Sequence, residues 1–277
     1  MRILIIFGLI ITYFFTVPGA SGVLASEQAK PLARVYATYI YEKDITLPDK
    51  STASKRKQLT KDKYKKWYAD YQQKIFAAIF MRRLQDAFLK QKNNEPTEAE
   101  IQSHITFMAK AKKGQLARYL KQREGVVKDL QAPDLNEKKK ASLIKYRDTL
   151  DSLIKSEKQQ RERSKKNPNY EQMQKKASRR VAEVMVRQFK YNQALYQTYG
   201  GRVIFQQAGI EPIDAYARVL DDWRKQKAYE ILDERFKDVF SSYEAYLKMG
   251  HNFLPMDENK KYFDKPFWEK ALPEDYR

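Results

Sequence analysis

The chain has no cysteine, two histidines and nine glycines among 277 residues. Without cysteine there are no disulfides, so stability must come from packing. The residue that carries a bacterial lipoprotein's anchor is also missing. Two histidines, His104 and His251, leave too few ligands for a zinc centre of the usual kind. No Cys-x-x-Cys pair, Gly-x-Ser-x-Gly elbow, Gly-x-Gly-x-x-Gly turn or phosphate-binding Gly-x-x-x-x-Gly-Lys loop occurs. The common sequence signatures of hydrolases and nucleotide-binding enzymes are therefore absent. Beyond residue 25 no apolar run approaches the roughly 20 residues that span a bilayer.

The one long apolar run stands at the start. Arg2 supplies a positive flank, and Ile3 to Val17 carries no charge. Pro18 to Gly22 breaks a helix, and Val23-Leu24-Ala25 places short side chains where a signal peptidase reads. This order predicts a cleavable secretory signal peptide over 1–25, cut between Ala25 and Ser26. A permanent anchor is the rival reading, but Pro18 and Gly19 interrupt the run early. The expected mature chain is soluble and lies in the periplasm or outside the cell.

Lysine and arginine number 54 against 35 acidic residues, a formal charge of +19. The excess is uneven. Met108 to Arg180 holds 22 basic and 9 acidic residues, whereas Gly209 to Leu247 holds 6 and 9. A basic middle attracts polyanions. Export argues against nucleic acid and leaves anionic envelope surfaces or acidic partners. Lys138, Lys139, Lys140, Lys165 and Lys166 are the candidate contacts. The competing reading is a set of solvated helix faces that keeps the chain soluble.

Scarce glycine, with abundant Lys, Gln, Glu, Ala and Leu, favours helices. Arg34 to Tyr41, β-branched and aromatic, reads as one strand. Lys50 to Lys66 reads as a loop merging into a helix. An amphipathic helix follows over Tyr64–Lys92, with Trp67, Tyr68, Tyr71, Ile75, Phe76, Ile79, Phe80, Leu84, Ala87 and Phe88 at three- and four-residue steps. Thr97 with Glu100 predicts a capping box for a helix that ends near Gly114. A short helix is expected over Gln115–Leu130. Asn136 is expected to cap a helix reaching Lys166, which pairs with Glu171–Tyr199 as an antiparallel hairpin. Gly200-Gly201 stops that second arm, and Val203-Ile204-Phe205 is a short extended run. Helices are then expected over Ile213–Lys225 and Ala228–Met249. The aromatic tail from His251 is expected to drape over a partner.

Chemistry-bearing constellations are few. Glu100 and His104 are one helical turn apart, which predicts a surface ion pair rather than a metal or acid–base pair. His251 follows a helix end and reads as structural. Aromatics are plentiful, with 19 tyrosines. Tyr36, Tyr39, Trp67, Tyr71, Phe76, Phe80 and Met108 are candidates for an adaptable groove that holds apolar peptide. The competing reading places such residues in the core.

Residues 33–108 resemble the N-terminal domain of SurA-like periplasmic chaperones and PrsA-like foldases. The resemblance is carried by Val35–Tyr41, by Asp44-Ile45-Thr46, by the helix Gln72–Gln91 and by Glu95-Pro96-Thr97-Glu98-Ala99-Glu100-Ile101. The glycine usual before Ile45 is absent, and no parvulin-type isomerase domain with its paired histidines is present. The resemblance implies a mainly α protein with one or two short strands. Its helical region over 26–132 would carry a basic helical hairpin inserted over 133–180, and a C-terminal helical region over 181–277 would complete the lobe. It implies holding of unfolded or outer-membrane polypeptides without proline isomerisation; no catalysis, cofactor or metal is expected, and export argues against nucleic acid. Val181–Tyr199 or Ala228–Met249 would pack on the Tyr64–Gln91 helix. The alternative is a non-enzymatic envelope scaffold that docks through the basic hairpin.

Overall fold

The computed structural model describes residues 30–206 and 209–270; the expected signal peptide and its cut site lie outside the described residues. The elements run β1 (Pro31–Val35), β2 (Thr38–Tyr41), α1 (Glu42–Ile45), α2 (Asp49–Gln58), α3 (Lys61–Gln91), α4 (Glu98–Lys113), α5 (Gln115–Asp129), α6 (Glu137–Lys166) and α7 (Pro168–Tyr199). They continue as β3 (Val203–Gln206), β4 (Gly209–Pro212), α8 (Ile213–Lys225), β5 (Tyr229–Ile231), α9 (Ser241–Leu247) and α10 (Asn259–Asp264). The chain is mainly α, with 72% of the described residues in helices and a few short strands. It forms two compact units. Unit 1 takes the described residues up to Phe88 together with Tyr216–Gly250, and unit 2 takes Leu89–Ala215 and the described residues from His251 on. The divisions at 132 and 180 that the resemblance implies do not coincide with these, because α5 and α6 pack with α4 and α7 in one unit.

In unit 1 the expected single strand Arg34–Tyr41 is a hairpin. Tyr36 takes a positive φ of 48°, which reverses the chain between β1 and β2. Thr38 Oγ1 donates to the Val35 carbonyl at 2.9 Å across the turn. The turn has neither Asn nor Gly, so the usual hairpin signal is missing. β1 is the central strand of a sheet ordered β2-β1-β5, and β5 pairs antiparallel with it, Val35 opposite Tyr229.

Residues 228–249 are therefore not the single helix expected, and α9 (Ser241–Leu247) is the α-helical part of them. Lys227 takes a positive φ of 49° and ends α8. The backbone N–H of Tyr36 donates to the Ala228 carbonyl at 2.7 Å, and β5 and a 3-10 turn at Glu234–Phe236 follow. Pairing with β1 outweighs the local helix preference, a tertiary override that periodicity does not report. The segment still closes the core face of α3. Phe236 stacks on Phe76 with centroids 4.0 Å apart, and Phe240 meets Phe80 edge-on at 5.5 Å. Lys50–Lys66, expected as a loop merging into a helix, holds most of α2 and then enters α3 at Lys61. Lys55, Arg56 and Lys57 sit in the last turn of α2, where cations stabilise the negative helix end.

Unit 2 is organised by capped helices. Thr97 and Glu100 form the expected reciprocal capping box, and the Asn136 side chain accepts from the Lys139 backbone. The two long helices make less of a hairpin than expected. α6 lies mainly along α5, and α7 mainly along α4. Ile101, Ala182, Val186 and Trp268 form the seam between α4 and α7. The described part of the tail from His251 packs on its own unit: Phe263 stacks on Tyr196 at 4.4 Å and joins Val203 and Ile210. Gly201 has φ +98°, and a Cβ there would fall 2.6 Å from that of Asp214. Only glycine lets the chain leave α7 so close to Asp214, which accepts from the Arg202 backbone at 2.8 Å.

Phe236 is buried and stacked on Phe76, so Phe236→Ala removes a full ring from a closed site. The expected loss is about 3–5 kcal/mol of stability, read as a lower denaturant midpoint. A change near zero would show that β5 and its turn are not part of the core.

Candidate functional site

The aromatic periodicity of α3 divides into two stretches. From Ile75 onward the stripe faces inward, and Phe76 and Phe80 are both 0% exposed. These two candidates for peptide contact are core residues, a correction that follows from the rings brought by Phe236, Tyr229 and Phe240. Upstream, Tyr64, Trp67, Tyr68 and Tyr71 are only half-buried. They sit at three- and four-residue steps over the first three turns and stack on one another. Tyr64 and Tyr68 are 6.0 Å apart, and Trp67 and Tyr71 6.1 Å. Arg56 of α2 caps this row, its Nε donating to the Tyr64 hydroxyl at 3.1 Å. Burial, then the neighbouring Tyr68, raises the Tyr71 phenol above its ordinary value. Lys61, Lys63, Lys65 and Lys66 are exposed in the same stretch.

The other candidates scatter. Tyr39 is 43% exposed on β2, its ring 6.3 Å from that of Tyr41. Tyr36 is half-buried at the hairpin turn. Met108 is half-buried on α4 and belongs to unit 2. Tyr64 and Tyr68 complete the row. Tyr68 was visible in the periodic pattern, whereas Tyr64 marked only its start and joins through its ring contacts.

The basic candidates separate as well. Lys138–Lys140 occupy the first turn of α6 and Lys165–Lys166 its last. At 1.5 Å per residue they stand roughly 40 Å apart, so they do not form one patch. Lys165 pairs with Glu162 at 3.3 Å.

His104 is not half of a surface pair. It is 2% exposed, edge-on to Trp268 at 5.1 Å and to Phe267 at 5.8 Å. Glu100 turns to α7 instead. Burial raises its carboxyl, but Lys190 at 2.7 Å and the Thr97 cap outweigh that and hold it below its ordinary value. Neither ring nitrogen of His104 has a hydrogen-bond partner among the described residues. Burial pushes the imidazole down to about 4. Among the described residues no group of three or more His, Asp or Glu side chains is placed to hold a metal ion, and no helix is long and apolar enough to cross a membrane.

The chain matches no family model, and no curated protein or solved structure shows significant similarity to it.

The buried imidazole links stability to pH. Its folded value lies below the ordinary 6.5, so the unfolded chain binds the proton more readily. The contribution is complete above about pH 6.5 and falls as pH drops toward 4. Between pH 7 and pH 5 the wild-type chain is expected to lose about 2 kcal/mol more stability than His104→Leu. Urea midpoints at the two pH values measure this, and equal losses would show that His104 is solvated.

Proposed function

We propose that this protein is a chaperone-like binder of unfolded polypeptides, working without catalysis in the cell envelope. The observation that carries the reading is the row Tyr64, Trp67, Tyr68 and Tyr71. Four large rings are left half-exposed on one helix face while the rest of the α3 stripe is covered. Stacked tyrosine and tryptophan present broad, stiff, amphipathic area at low entropic cost, and such rings dominate the energetics of polypeptide contacts. The hydroxyls and the indole N–H can bond the backbone of an extended client. The flanking lysines favour clients that are acidic or neutral and disfavour basic ones. The apolar N-terminal run and its small-residue cut site support export, and the resemblance of residues 33–108 to chaperone N-terminal domains supports the class of client.

The test is aggregation of an unfolded outer-membrane polypeptide, followed by light scattering with near-equimolar protein. Full-length mature protein is expected to suppress scattering, and Trp67→Ala with Tyr71→Ala to lose most of that effect without changing the fold. Trp223 and Trp268 are 2% and 4% exposed, so Trp67 is the half-exposed tryptophan among the three in the chain. A blue shift of emission on adding client is expected from it. Absence of protection, or protection that survives both substitutions, would sink the reading.

A further inference from the structure

A second feature lies in unit 2, apart from the aromatic row of α3, and takes in Lys166 from the basic candidates. Where α6 turns into α7 the surface folds into a concavity of about 570 Å³, bounded by Lys158, Gln159, Glu162, Arg163 and Lys166 of α6, by Asn167 at the turn and by Tyr170 of α7. The helix phase explains the convergence: positions 158, 162 and 166 succeed one another at four-residue steps along one face of α6. Its walls are mostly carbon, as expected where long basic side chains lay their methylene stems along a turn.

The polar groups at this rim are three cations, the neutral side chains of Gln159, Asn167 and Tyr170, and one carboxylate, Glu162. Lys158, Arg163 and Lys166 are exposed and have no carboxylate partner among the described residues. The one acid there, Glu162, is engaged by Lys165 at 3.3 Å. The Asn167 side-chain oxygen already accepts from the Asn169 backbone at 3.0 Å, which leaves its NH2 group to donate outward. The Tyr170 hydroxyl accepts from Gln174 Nε2 at 3.0 Å, which leaves its own proton to donate. The helix ends add little, because the negative end of α6 and the positive end of α7 meet at the same place and oppose each other. Attraction for an anion therefore rests on the side chains.

We propose that this concavity is a binding site for phosphate esters. Phosphate concentrates several acceptor oxygens and up to two charges at one point, which suits three cations and two neutral donors around one hollow. Arg163 supplies the planar fork that phosphate takes in bidentate fashion. The carbon walls and the Tyr170 ring suit the sugar or glycerol that carries the phosphate. The volume falls in the range of small-ligand sites, about 300–1,000 Å³. An acidic peptide matches less well, since an extended chain spaces its side chains by about 3.3 Å per residue on alternate faces. The proposal is independent of polypeptide binding by α3.

The test titrates the full mature chain at physiological salt with inositol hexakisphosphate by calorimetry. A second arm measures co-sedimentation with vesicles of phosphatidylglycerol in phosphatidylcholine. Replacing the three cations together, Lys158→Gln, Arg163→Gln and Lys166→Gln, is expected to weaken binding by about tenfold or more. Lys138→Gln, Lys139→Gln and Lys140→Gln remove the same charge at the other end of α6 and are expected to change it by about twofold or less. All six side chains are exposed, so both variants should keep the wild-type circular dichroism. Binding in the soluble arm alone supports a soluble ester, and in the vesicle arm alone a lipid headgroup. No binding in either arm, equal loss in the two variants, or poly-L-glutamate binding as tightly as the phosphate probe overturns the proposal.

Discussion

Aromatic rings delivered by the C-terminal third of the chain close both units, and the rest of the packing is arranged around them. In unit 1, Phe236 and Phe240 cover Phe76 and Phe80 on α3. In unit 2, Trp268 lies in the α4–α7 seam, and Phe263 stacks on Tyr196 beside the β3–β4 hairpin. With no disulfide available, these contacts between residues far apart in sequence do the work of crosslinks. They also set what remains outside. Phe236 and its neighbours cover α3 from Ile75 onward, and the first turns of the helix keep their rings half-exposed. The same closure buries His104 between Trp268 and Phe267, and that burial, not a neighbouring charge, depresses its imidazole.

The charge distribution follows a similar division. Many of the acids are committed to fixing the fold. Glu42 and Asp233 hold Arg235 beside the turn after β5. Glu98 takes Arg179 in a bidentate pair, Glu100 takes Lys190, and Asp214 takes Arg202. Such exposed pairs contribute little individually. Their effect on the surface is larger, because each consumes an acid in a chain already short of them. The surplus cations are left along α6 and at its turn into α7, where few acids remain to neutralise them.

The sequence discloses what is decided locally. The Thr97–Glu100 box, the Asn136 cap, the stop at Gly200-Gly201 and the bounds of α8 at Ile213 and Lys225 all rest on residues within a turn or two of each other, and all are in the structure. What depends on a distant partner was hidden. Arg34–Tyr41 has the composition of a strand whether or not Tyr36 reverses it. Residues 228–249 read as a helix until β1 offers an edge to pair with. Glu100 and His104 have the spacing of a pair, but Lys190 lies 90 residues away and claims the carboxylate. The aromatic stripe of α3 was legible as a stripe. Which of its rings would be covered was not, because Phe236 and Phe240 do the covering, and no period in α3 reports them.

That hidden division bears directly on function. An amphipathic stripe needs no explanation beyond the core when another element covers it. Here α3 keeps one periodic pattern from Tyr64 to Phe88, yet among the described residues its later part is buried and its first turns are half-buried. Four aromatic side chains, each burying about 150–250 Å² when fully enclosed, are a large apolar area to leave half-open in a chain with so much charge. Substituting polar residues at Tyr64, Trp67, Tyr68 and Tyr71 would keep the helix, since helical propensity there does not require aromatics. Core packing among the described residues accounts for Phe76 and Phe80, and the proposed function assigns the upstream row to a transient occupant. On the proposed reading that occupant is an unfolded chain, whose own exposed apolar groups gain by the same burial that Phe236 provides permanently further along the helix.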